Sequence, residues 1–241
     1  YHTTTIYSFI FKPTCEYDPF AVLALMNSQL FWFFLTQTGT VLRGGYFRFK
    51  TAYLEPAPIR AIEFVAPAEQ RRQSLQALEE FYTEHMTDRV LLTARMHVDE
   101  GRADVVHDLL AFLAEKMIDL NNRKQEEVAR FLGWLEEQIG VDIDDLSGKT
   151  IISAYLGDYQ KGEEPLPEDE FIDRLYSNKS KFSVNFTDAL EHRIRQEYQT
   201  SLDALLPVKQ RLADTDWLID QIVYRLYGLT DEEIAIVEGR E

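Results

Sequence analysis

A mainly α-helical fold with a small α/β part at its N-terminal end is predicted by three features of the sequence. Apolar residues recur at three-to-four spacing through most of the chain beyond residue 60, strand-like alternation is confined to the first 60 residues, and most Gly and Pro fall between the periodic stretches. The 241 residues, 45% of them apolar, suffice to build a core. The expected order is a strand-helix-strand segment at residues 1–60, followed by a helical, bundle-like region at residues 61–241.

Thr3 to Lys12 is rich in Thr, Ile, Tyr and Phe, which suit a pleated, half-buried surface, so a strand is expected there. Asp18 and Pro19 read as the N-cap and first residue of a buried helix running to about Thr36. Gly39, Gly44 and Gly45 interrupt the pattern. Period-two alternation then places Tyr46, Arg48 and Lys50 on one face of a strand and Phe47 and Phe49 on the other. Pro56 and Pro58 end that strand.

Beyond residue 60, Pro67 opens a long amphipathic helix carrying Leu75, Leu78, Phe81, Tyr82 and Met86. A second begins near Asp104 and ends at Gly140. Asp142 to Asp169 mixes Gly, Pro and acids and reads as a loop with short elements at most. Helical patterning returns at Glu170 to Tyr176 and again from Asp188 through Leu212, with Pro207 a candidate point for a bend or split. Trp217 to Leu226 forms one more stripe, closed by Gly228 at a left-handed position. Thr230 and Glu233 have capping-box spacing for a last short helix.

Composition narrows the chemistry. One cysteine, Cys15, excludes an internal disulfide framework and a cysteine-based zinc site, and a reducing cytoplasm is expected. The apolar run Phe20 to Leu35 is shorter than the roughly 20 residues a bilayer needs, so no membrane association is expected. The chain opens without Met, on Tyr-His-Thr-Thr-Thr-Ile-Tyr, which reads as the middle of a strand, so upstream sequence is expected to precede it.

The net charge of −16 opposes general polyanion binding, but its distribution is uneven. Residues 1–60 carry +2 and the rest −18, and from Pro19 to Leu54 there is no Asp or Glu, although the chain has 41. An anion-facing surface is expected in that stretch. Its centre is Arg43-Gly44-Gly45-Tyr46-Phe47-Arg48-Phe49-Lys50: paired glycines let a backbone approach a phosphate, and the flanking cations supply charge-assisted bonds. A plain turn with solvated basic side chains fits the same residues. Lys179 and Lys181, in the acid-free run Ser177 to Thr187, are a second candidate phosphate contact, and a surface loop is an equal reading.

Other motifs point nowhere catalytic. Ser147-Gly148-Lys149-Thr150 lacks the earlier glycine of a phosphate-binding loop, where Ile143 stands instead. The five histidines have no metal-ligand spacing, and the acidic runs lack a calcium-loop pattern. Asn178-Lys179-Ser180 and Asn185-Phe186-Thr187 match glycosylation acceptors but have no secretory context.

Two stretches carry a resemblance. Leu23 to Phe33, continued by Arg43 to Phe49 and Tyr53 to Ile59, and the terminal Thr215 to Ile234, are similar to the TaqI-like C-terminal specificity domain of adenine-specific DNA methyltransferases and single-chain type IIG restriction-modification enzymes. That resemblance implies a target-recognition role on double-stranded DNA beside an upstream domain that uses S-adenosylmethionine, with Mg2+ where the parent also cleaves. The family's Asn-Pro-Pro-Tyr motif and Gly-rich cofactor loop are absent from this chain. No catalytic residue, cofactor or metal is therefore assigned to it. Arg43, Gly44, Gly45, Tyr46, Arg48 and Lys50 are the expected DNA contacts, with Lys179 and Lys181 added. The competing expectation is an acidic helical interaction or scaffold module that does not touch DNA. An isolated small-molecule enzyme is the weakest reading, because no nucleophile and base stand at an arguable spacing.

Overall fold

The computed structural model describes residues 10–41, 47–48 and 51–240, with the backbone alone for Arg48 and Thr51. The fold is mainly α. The expected strand at Thr3 to Lys12 falls largely outside the described residues, and Ile10 to Lys12 are irregular.

The apolar run after Asp18 forms two helices, α1 (Pro19–Met26) and α2 (Gln29–Thr38), bent by 61° at their junction. This corrects the single helix expected to Thr36. The cause is Ser28, which is extended (ψ 156°) and caps α2 by accepting from the Phe31 N–H, while its hydroxyl donates to Leu25 O at 2.7 Å. Asn27, next to it, is the C-cap of α1. Polar residues in an apolar run here mark a joint. Among the described residues no single helix is long and apolar enough to cross a membrane.

Strands β1 (Thr40–Val41) and β2 (Phe47–Arg48) pair antiparallel, with Thr40 opposite Arg48 and Val41 opposite Phe47. The α/β character of the described N-terminal part rests on this two-residue ladder. After α3 (Thr51–Leu54) an irregular strap leads to α4 (Ala68–Thr83). Helix α5 (Thr87–Asp99), not among the expected helices, carries Val90, Leu91, Ala94 and Val98 at helical spacing and buries Val90 and Ala94. Helix α6 (Ala103–Ile139) follows the expected stripe to Gly140, whose φ of 66° suits glycine and whose added Cβ would lie 2.7 Å from Ser183 Cβ.

Residues 142–167 hold the short α7 (Lys149–Ser153) and two 3₁₀ turns, as expected of that loop. Helix α8 (Glu168–Ser177) precedes α9 (Asp188–Tyr227), which runs unbroken through Pro207. Leu202, Leu205, Val208 and Leu212 are all buried around the proline, so packing on both sides holds the helix together despite the missing N–H bond. Gly228 (φ 70°) ends α9, and Thr230 and Glu233 form the expected capping box of α10 (Asp231–Val237).

The chain divides into two compact units, Tyr1–Lys116 with Thr215–Glu241, and Met117–Asp214. The division passes through α6 and α9 rather than falling at residue 60. In the first unit, Leu78, Val90, Val105, Leu109, Leu218, Ile222 and Val223 are buried, and the hydroxyls of Tyr82 and Thr215 pair at 2.8 Å.

In the second unit Phe131, Tyr155, Phe171 and Tyr198 meet in one aromatic cluster, with Phe171 and Tyr198 stacked at 4.5 Å and the rings of Phe131 and Tyr155 tilted by 57° at 5.0 Å. Burial pushes the Tyr155 phenol up to about 12, and its hydroxyl pairs with Ser201 Oγ at 2.7 Å. The long loop is fastened by side chains: Asn178 accepts from Ser147 N–H and donates to Ser147 O and Arg174 O, and Lys209 donates to Leu156 O and Glu163 O. Asn178 is 2% exposed, so its glycosylation-like sequence is spent on packing. Phe131→Ala is expected to lower the unfolding free energy by about 3–5 kcal/mol, the range for a fully buried aromatic, measured by urea denaturation followed by circular dichroism.

Candidate nucleic-acid interface

The acid-free stretch supplies α1, α2, β1, β2 and α3, all in the first unit. Helix α1 starts at Asp18, whose carboxylate accepts from the Phe20 N–H at 2.8 Å. The Asp18 N–H in turn donates to His107 Nε2 at 2.9 Å. Because Nε2 accepts, the ring proton sits on Nδ1 and is donated to Asp108 Oδ1, also at 2.9 Å, and Asp108 pairs with Arg71 at 3.1 Å. Both ring nitrogens of His107 are thereby committed to holding the start of α1 against α6, and neither is left to act on a substrate.

Helix α2 has a matching attachment. Its first N–H, at Gln29, donates to Asp220 Oδ1 of α9 at 2.7 Å. A carboxylate suits a helix N-terminus, yet burial, with Asp216 and Glu238 nearby, pushes the Asp220 carboxyl up to about 7 against the pull of that bond. Helix α2 itself has no charged residue. It buries Phe31 and Leu35 and leaves Gln29, Trp32, Gln37 and Thr38 exposed. The Trp32 indole meets the Phe47 ring of β2 edge to face at 5.1 Å. On β1, Thr40 Oγ1 and Tyr53 Oη are 2.5 Å apart.

The strap after α3 is laid down by side chains. Tyr17 Oη donates to Arg60 O and accepts from the Ile62 N–H, and Tyr227 Oη donates to Pro58 O and accepts from the Arg60 N–H. The Arg60 guanidinium donates to Leu226 O. Arg60 is thus a structural clamp at the edge of the stretch.

Of the residues singled out from sequence, Arg43, Gly44, Gly45, Tyr46 and Lys50 lie outside the described residues, as does the Arg48 side chain. The Arg48 backbone stands in β2, opposite Thr40. Lys179 and Lys181 lie in the other unit, on one 3₁₀ turn. Lys181 Nζ donates to Asp145 O at 2.7 Å and Ser147 Oγ at 3.3 Å, so it ties the loop, and Lys179 Nζ stands 3.8 Å from the Tyr176 ring centre. Sequence reasoning does not single out Trp32 or Asp220. Trp32 sits in an apolar run that reads as buried, and Asp220 belongs to a helix 191 residues away from the amide it meets.

No family model, curated protein or solved structure matches this chain. Among the described residues no group of three or more His, Cys, Asp or Glu side chains is placed to hold a metal ion.

Lys181→Ala is expected to lower stability by about 1 kcal/mol, the scale of one hydrogen bond, as checked by thermal melting. Asp220 binds a proton in the folded protein at pH values where the unfolded chain has released it. Its contribution to stability is therefore full below about pH 4 and is lost as pH rises through about 7. Asp220→Asn keeps an oxygen for the Gln29 N–H without the charge. The variant is expected to lose that pH dependence and to exceed the parent protein at pH 8 by about 2 kcal/mol, in denaturation curves recorded from pH 4 to 8.

Proposed function

We propose that this chain is a DNA target-recognition region, of the kind found at the C-terminal end of adenine-specific methyltransferases and type IIG restriction-modification enzymes. It binds double-stranded DNA and directs an upstream catalytic domain to its site. S-adenosylmethionine, and Mg2+ where cleavage also occurs, belong to that upstream part in this reading.

The proposal rests on the absence of any Asp or Glu from Pro19 to Leu54 in a chain with 41 acids. A surface meeting phosphates gains from cations and is penalised by carboxylates, whereas a plain helical core has no such requirement at its exposed positions. The exposed residues of α2 are uncharged hydrogen-bonding groups and one indole, and Arg48 and Lys50 follow in the same acid-free stretch. The sequence resemblance of that stretch to specificity domains supports the same reading.

The acidic remainder of the chain favours a second reading, an interaction module for a basic partner. A shallow groove on α4, lined by Gln76, Glu79, Glu80, Thr83 and Glu84, has the charge for it.

Arg48→Ala and Lys50→Ala are each expected to weaken binding to a DNA duplex and to reduce the slope of log affinity against log salt by about one unit for each phosphate no longer neutralised. Affinity and slope unchanged in both variants would remove these residues from the interface. Methyl transfer to DNA by the chain joined to its upstream sequence should lose its site preference when residues 1–241 are deleted; retained rate and preference would favour the interaction module.

A further inference from the structure

We propose that the C-terminal helix α10 is a pH-operated flap, docked on α2 while the carboxyl of Asp220 keeps its proton and released when that proton leaves. The inference is independent of any DNA contact and concerns only the first unit. Asp220 of α9 accepts from the Gln29 N–H at the start of α2 at 2.7 Å. Asp216 stands one helical turn before it on α9 and Tyr224 one turn after it. Helix α10 packs against α2, and Glu238, its C-cap, returns to α9, where Gln221 Nε2 donates to Glu238 Oε1 at 3.4 Å. The Tyr224 phenol is wholly buried, and that burial, with Asp220 and Glu238, raises it above its ordinary range. The guanidinium of Arg240 is engaged by Glu238, and α2 carries no charged side chain to set against another carboxylate.

Ionisation of Asp220 therefore adds a charge to a buried place that Asp216 and Glu238 already make negative. The part that yields is the one held by least packing. Helix α9 buries Leu218, Ile219, Ile222 and Val223 around Asp220, and α2 buries Phe31 and Leu35. Helix α10 has seven residues and one buried side chain, Ile234, and it follows the left-handed turn at Gly228. A helix so short has little stability of its own, so lifting it lets water reach the carboxyl with the smallest loss of burial. Burial, with Asp216 and Glu238, pushes the Asp220 carboxyl up to about 7. The docked form thus holds a proton that the released form, with its carboxyl in water, gives up. Docking is strongest below about pH 4, weakens by up to about tenfold per pH unit from there to about pH 7, and levels off above it. Release uncovers the part of α2 on which α10 packs, so access to that helix follows pH.

The test is amide hydrogen exchange, read by mass spectrometry on the 241-residue chain at about pH 5 and about pH 8, with rates corrected for the intrinsic effect of pH. The α10 amides are expected to be protected at the lower pH and to exchange nearly freely at the higher, while those of α4 and α9 stay protected at both. Asp220→Asn, its folding checked by circular dichroism, should keep α10 protected at the higher pH, because the amide still accepts from Gln29 and carries no charge. Glu238→Gln removes one opposing charge and should leave α10 partly protected there. Equal protection of α10 at both pH values in the parent protein would overturn the inference. Loss of α10 protection together with that of α4 would do so as well, since the whole unit would then be opening. Loss in Asp220→Asn equal to the parent's would assign the proton to another group and overturn it too.

Discussion

A helix N-terminus leaves its first amides without intrahelical acceptors, and α1 and α2 meet that requirement with side chains from far along the chain. His107 of α6 accepts from Asp18, the N-cap of α1, and Asp220 of α9 accepts from Gln29, the first residue of α2. The placement of the acid-free stretch depends on these two bonds. They hold the locally capped start of each short helix to α6 and α9, and the Ser28 cap stands at the bend between α1 and α2. Trp32 and the strand that braces it follow from that angle.

The two attachments differ in cost. His107 is satisfied on both ring nitrogens and is flanked edge to face by Tyr17 and Phe64, so it joins a neutral hydrogen bond to an aromatic nest. Asp220 places a carboxyl among Asp216 and Glu238 with burial opposing its charge. A helix free of charged residues cannot offer a compensating cation. The anchor of α2 is therefore electrostatically expensive.

The second unit solves a different problem. Its long loop has little ladder of its own, and its backbone groups are instead satisfied by Asn178, Lys181, Lys209 and the Tyr198 hydroxyl, above a core of four aromatic rings. Lys181 shows how folding gives a cation partners that its sequence neighbours do not announce. Its neighbourhood in sequence is free of acids, and oxygens folded in from Asp145 and Ser147 receive two of the three protons of its exposed ammonium group.

Features that depend on neighbours a few residues apart can be read directly from the order of residues. The stripes of α6, α8 and α9, the left-handed stop at Gly228 and the Thr230–Glu233 box are local in origin, because helical spacing and capping act within one or two turns. Charge distribution is equally legible, since it needs only counting. Where local signals are weak or ambiguous, the outcome waits on packing. Packing splits the apolar run at Ser28 and keeps α9 whole through Pro207 by burial on both sides. It also exposes Trp32 and joins Asp220 to an amide 191 residues away. Periodicity reports which residues avoid water on average, whereas exposure of one ring and pairing across such a separation depend on which surfaces meet after folding.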